Sequence, residues 1–118
     1  MKYLCLVYFE EKIWDSISQS ESDALTRESL AYDEQLTKNG HLLAAEALDS
    51  IHTATTVRVR NGKITTSDGP FAETKEVLGG FNLINARDLD EAIRVASKIP
   101  LARWGSIEIR PVLELTVN

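Results

Sequence analysis

Residues 3–9, Tyr-Leu-Cys-Leu-Val-Tyr-Phe, constrain the fold more than any other stretch. In an extended chain Tyr3, Cys5, Val7 and Phe9 point one way and Leu4, Leu6 and Tyr8 the other. Both sets are apolar or aromatic, so the segment reads as a central strand that needs cover on both faces. Lys2 precedes this run and Glu10-Glu11 ends it, with no small-residue cleavage site. It is too short for the apolar region of a secretory signal. No stretch approaches the roughly 20 apolar residues needed to cross a bilayer, which predicts no membrane association.

The rest of the chain supplies partners for that strand. Residues 20–38 read as a helix, with Ser20 or Ser22 as N-cap and Leu25, Tyr32 and Leu36 on one face. Gly40 suits a left-handed C-terminal cap. A second strand spans 41–48. Residues 53–60 and 63–66 flank Asn61-Gly62, the signature of a two-residue type I′ hairpin turn, and Arg58, Arg60 and Lys63 mark that arm as a solvated edge. Residues 81–85 form the next main strand. Asp88 opens a second helix with Glu91 as capping-box partner and Leu89, Ala92, Ile93 and Ala96 as its buried stripe. A last strand spans 106–115, with Ile107, Ile109, Leu113 and Leu115 on one face and Pro111 placing it at an edge.

This order predicts one α+β domain over residues 1–118, a ferredoxin-like βαββαβ arrangement with an inserted β-hairpin. Right-handed crossovers place both helices on one face. The opposite face of the first strand then wants a second copy of the sheet, which predicts a homodimer.

Turn chemistry concentrates in residues 68–81. Asp68-Gly69-Pro70 makes a stiff turn, Phe71 is an apolar anchor, and Gly79-Gly80 permits close backbone approach or a strand bulge. A stiff loop between strands is a place for a ligand cleft. The candidate catalytic groups are Asp68 and His41 for acid–base work and Lys75 for stabilising a developing oxyanion. Phe71, Glu73 and Gly80 are the candidate ligand-binding residues. The competing structural reading has Asp68 bonded to its own turn backbone, Glu73 and Lys75 as a solvated ion pair, and His41 as a helix-exit residue.

Several function classes are excluded. A net charge of −5 and a pI near 5.0 argue against nucleic acid and anionic membrane surfaces. The single cysteine, Cys5, forms no intrachain disulfide and reads as core filler, so a cytoplasmic location is expected. The two histidines stand at unrelated spacing, and there is no phosphate loop, CxxC, GxSxG or HExxH. No metal and no cofactor is expected.

The run Asp68-Gly69-Pro70-Phe71 resembles the signature of the DGPF-type proteins within the YCII-related family. The arm 55–60, Thr-Thr-Val-Arg-Val-Arg, and the run Asp88-Leu89-Asp90-Glu91-Ala92 are similar to segments of such members. The resemblance implies a dimeric α/β barrel across nearly the whole chain. Family members are proposed to use a histidine in the segment after the first strand and an aspartate in a later Asp-Pro motif. Residues 9–17 hold no histidine, and Lys98-Ile99-Pro100 stands at the second position, so that dyad does not carry over. Some relatives catalyse dehalogenation or lactone isomerisation, and DGPF-type members accompany extracytoplasmic-function sigma factors. The resulting expectation is a cleft for a small organic acid or aromatic metabolite, with cofactor-free isomerase- or dehydrohalogenase-like acid–base chemistry. The alternative is a non-catalytic ligand-sensing or regulatory partner in sigma-factor systems.

Overall fold

A computed structural model describes residues 1–117. Strand β1 (Lys2–Phe9) leads through a short helix α1 (Ile13–Ser16) into α2 (Gln19–Lys38), and β2 (Leu42–Ala47) follows. Strands β3 (Thr55–Arg60) and β4 (Lys63–Asp68) come next, then β5 (Val77–Asn85), α3 (Leu89–Ser97) and β6 (Ser106–Pro111). The main sheet is antiparallel in the order β2-β5-β1-β6, and β3 and β4 form a separate two-stranded sheet. This mixed α+β arrangement is consistent with a ferredoxin-like fold.

β1 is central, as its sequence demands. Its odd-numbered residues Tyr3, Cys5, Val7 and Phe9 are buried with Leu36, Ile84, Ala92, Val95, Ala96 and Ile99, so this face carries the helix layer. Leu4, Leu6 and Tyr8 are only half-buried on the other face. There Leu6 pairs with Phe81 and Leu4 with Leu83, which makes a continuous apolar band. Burial pushes the Cys5 thiol up to about 11, so it stays protonated and acts as core filler.

The helices are capped from the sequence outward. Ser18, rather than Ser20 or Ser22, closes α2: its hydroxyl accepts from the Glu21 amide while the Glu21 carboxylate accepts from the Ser18 amide. Two residues past α2, Gly40 takes φ +77°, and the His41 amide donates to the Leu36 carbonyl. Asp88 caps α3 by accepting from the Glu91 amide, but the Glu91 carboxylate reaches Arg87 N instead of closing a full box. The buried stripe of α3 differs from expectation. Ala92, Val95 and Ala96 are buried, whereas Leu89 is 50% and Ile93 48% exposed. The helix is turned so that small alanines meet the sheet and Tyr32 can donate to the Val95 carbonyl, 2.6 Å away.

Two strand limits also differ from expectation. β5 begins at Val77, so Val77–Gly80 belongs to the sheet and not to a loop. Between Val7 and Tyr8 the register skips Gly79, a bulge that only glycine fits, because a Cβ there would strike the Phe9 ring. β6 stops at Pro111, an edge position, and Leu113 and Leu115 continue beyond it exposed instead of joining its inner face.

The Asn61-Gly62 turn takes positive φ at both residues, 53° and 75°, as a type I′ turn requires. Replacing Gly62 with valine is expected to weaken the β3–β4 ladder by about 1 kcal/mol or more, since a β-branched residue resists that region. Amide exchange over residues 55–68 reads the change directly, and unaltered exchange would contradict it.

Candidate functional site

A cleft opens where the side chains between α2 and the sheet become small. On the helix side, Leu42, Ile84 and Tyr3 form one cross-strand row, and Ala45, Asn82 and Cys5 form the next. Ala47, Gly80 and Val7 form the third row. The first row fills the space beneath α2, while the alanines and Gly80 leave it empty. The resulting cleft has a volume of about 530 Å³, within the size range of small-molecule sites. Leu25, Ser29 and Asp33 line it from α2, Ile99 to Leu101 from the turn after α3, and Trp14 from α1. Trp14 stands edge-on to Phe9, with ring centroids 5.5 Å apart. Gly80 also draws β2 close, because a Cβ there would lie 2.9 Å from the Glu46 carbonyl oxygen.

The walls are mostly apolar, and two polar side chains meet within them. Asn82, 8% exposed in β5, donates from Nδ2 to Asp33 Oδ1 across 3.1 Å. Burial holds the Asp33 carboxyl above the usual aspartate value, and the Asn82 amide partly offsets this. Among the described residues, no lysine, arginine or histidine lines the cleft. The other carboxylate among the lining residues, Glu46, is exposed. The pair therefore presents one acceptor-rich carboxylate and one amide to a guest that supplies hydrogen-bond donors.

The sign of the Asp33 shift gives a pH prediction. A raised folded value means that the folded chain binds more protons than the unfolded chain between the ordinary aspartate value and the raised one. That contribution is full below the unfolded value and is lost as pH rises through the folded value. Asp33→Asn keeps an acceptor for Asn82 and removes the desolvated charge. It is expected to melt above the parent at pH 7 and to lose that advantage as pH falls below about 4. A lower melting temperature for the variant at pH 7 would contradict the assignment.

Of the residues singled out from the sequence, Gly80 lines this cleft through its backbone. The others stand elsewhere. His41 lies at the far end of the sheet, its Nδ1 2.9 Å from the Asn85 carbonyl oxygen, as a helix-exit residue would. Asp68 ends β4 on exposed surface. Gly69 takes φ +94°; its amide donates to the Ala54 carbonyl and its carbonyl accepts from the Thr56 hydroxyl, closing the base of the hairpin. Phe71 is 81% exposed and Glu73 is exposed. Lys75 pairs not with Glu73 but with Glu10, 3.4 Å away, and Glu10 also holds Lys12 at 3.2 Å. The Lys12 hydrogen bond, then Lys75, keeps the Glu10 carboxyl below its usual value. Asp68, His41 and Lys75 are thus not gathered around one space within a single chain. Asp33 and Asn82 went unnoticed because Asp33 is one of several acidic residues along α2 and its partner lies in β5. Only the small residues at 45, 47, 79 and 80 hinted at the space between them.

A four-stranded antiparallel sheet with two helices on one face and an apolar cleft beneath the longer helix defines a class of small α+β proteins. The profile of the YCII-related domain matches residues 1–116, and the chain belongs to the YCII-related family. It is 36% identical over 114 residues to a protein of Rhizobium meliloti (strain 1021) described as uncharacterised, covering 95% of this chain and 92% of the relative.

Proposed function

We propose that this YCII-related chain binds a small aromatic metabolite in the cleft beneath α2, with Asp33 and Asn82 as its polar recognition pair. The carrying observation is the Asn82–Asp33 hydrogen bond inside a mostly apolar space of about 530 Å³. Of the two ligand classes expected from the sequence, the lining favours the aromatic one. An organic acid would bring its carboxylate toward Asp33 with no cation to receive it. The site reads as a binding site rather than a reaction centre, since among the described lining residues Asp33 has Asn82 as its polar neighbour and no histidine or lysine beside it to share a proton.

The same proposal includes a homodimer joined through the open sheet face. Leu4, Leu6, Tyr8, Phe81 and Leu83 supply the apolar band that supports it. The single buried cysteine supports a cytoplasmic setting.

Trp14 provides the test. In a Trp104→Phe background its emission should change saturably with benzamide or p-cresol and not with benzoate. Ala45→Phe, which fills the cleft, should abolish the response. An absence of saturation with every probe, or a response indifferent to Ala45→Phe, would remove the proposal.

A further inference from the structure

The cleft beneath α2 is polar at one end and aromatic at the other. Asn82 stands in the cross-strand row of Ala45 and Cys5. Phe9, further along β1, marks the other end with Trp14 edge-on to it. At about 3.3 Å per residue, Cys5 and Phe9 are roughly 13 Å apart along the strand. The Asn82–Asp33 hydrogen bond orients the polar end. An ionised carboxylate only accepts, so the Asn82 amide turns Nδ2 to Asp33 Oδ1 and its own Oδ1 the other way. Ser29 lines the cleft one turn before Asp33, on the same face of α2. Among the described residues no buried side-chain oxygen or nitrogen lacks a hydrogen-bond partner. Asn82 Oδ1, Asp33 Oδ2 and the Ser29 hydroxyl are therefore accessible rather than sealed. Glu46 shares a row with Phe81 and Leu6 on the opposite sheet face, which leaves Asp33 as the charge facing the cleft. No lysine or arginine forms an ion pair with it among the described residues.

Three acceptors around one negative charge match one kind of head group. We infer that the cleft takes a primary aryl-alkyl ammonium, its N–H groups donating to Asp33 Oδ2, Asn82 Oδ1 and Ser29 Oγ and its ring lying toward Phe9 and Trp14. A short tether carries the ring over Ala47 and Gly80, whose small size leaves room for it. An ammonium has three donors and no acceptor, so each finds a partner. Burial holds the Asp33 carboxyl above its usual value before any guest arrives, and a cation recovers that desolvation cost. A phenol or amide brings no charge to do so. A quaternary ammonium brings charge without donors, and a planar guanidinium spreads its donors in one plane. A metal ion would need more ligands, and no cluster of three or more metal-ligating side chains occurs among the described residues.

The inference rests on the aromatic-binding reading above, and the probes separate the two. In the Trp104→Phe background at neutral pH, phenethylamine should saturate the Trp14 response. It should bind about tenfold or more tighter than phenethyl alcohol, which keeps the shape and lacks the charge. Its N-trimethylated form, which keeps the charge and lacks the donors, should lose most of that gain. Asp33→Asn should bring the ratio of amine to alcohol affinity close to one. Equal wild-type affinities for amine and alcohol, or a trimethylated probe that binds as tightly as the amine, overturn the ammonium inference and leave the aromatic site standing. An amine preference that survives Asp33→Asn also overturns it. Saturation by none of these probes, or binding indifferent to Ala45→Phe, removes both.

Discussion

Gly105→Ala is expected to abolish the cooperative unfolding transition, or to cost more than about 4 kcal/mol where one survives. Gly105 sits between the turn after α3 and the start of β6, and its amide donates to the Leu101 carbonyl. A Cβ at this position would collide with the Tyr8 carbonyl oxygen, and it would stand 2.9 Å from the Tyr8 carbonyl carbon and 3.0 Å from the Phe9 Cα. All three neighbours are backbone, so no side chain can swing aside. Relief requires β1 and β6 to part where Tyr8 pairs with Ser106. That seam anchors the central strand, and the whole stability of a domain this size is about 5–15 kcal/mol. Chemical denaturation of the variant beside wild type checks it; a shift below 1 kcal/mol would show that the strands separate at little cost.

Ile84→Ala is expected to cost about 2–5 kcal/mol. Ile84 is fully buried on β5, flanked by Tyr3 and Leu42 in the large-residue row beneath the helices. Truncation removes apolar contacts and leaves a hole that neighbours held by two strand pairings cannot close. The loss should appear as a lower denaturant midpoint with an unchanged slope, since the exposed surface of the unfolded chain hardly alters. A cost near that of a surface substitution would mean that the row relaxes freely.

The elements legible in the sequence are those decided by neighbouring residues. Asn61-Gly62 dictates its own turn, Asp88 its own cap, and residues 3–9 a central strand whatever surrounds them. What escaped depends on distant partners. Leu89, Ala92, Ile93 and Ala96 fit a helical stripe as well as Ala92, Val95, Ala96 and Ile99 do; the sheet and the Tyr32 hydrogen bond choose between them. Leu113 and Leu115 keep the alternation of β6, but the main-sheet ladder formed by Ser106–Pro111 ends before them. The cleft escaped the sequence for the same reason. Turn chemistry concentrates in residues 68–81, of which Gly79 and Gly80 reach the cleft, whereas the cleft itself arises from small side chains on two strands facing one helix. Its key contact joins residues 49 apart in the chain.

The central position of β1 has a consequence for synthesis. Its two neighbours are β5, which begins at Val77, and β6, which begins at Ser106. During translation the strand leaves the ribosome first and its partners come last. At about 5–20 residues per second, roughly 3–14 s pass between completion of β1 and the start of β5. Throughout that interval the nascent chain carries an extended run of apolar and aromatic residues with no strand to pair with. Helices α1 and α2 are made early enough to shield it, through Ile13 and Trp14 and through Tyr32 and Leu36, so their apolar faces act as an internal guard before they become part of the core.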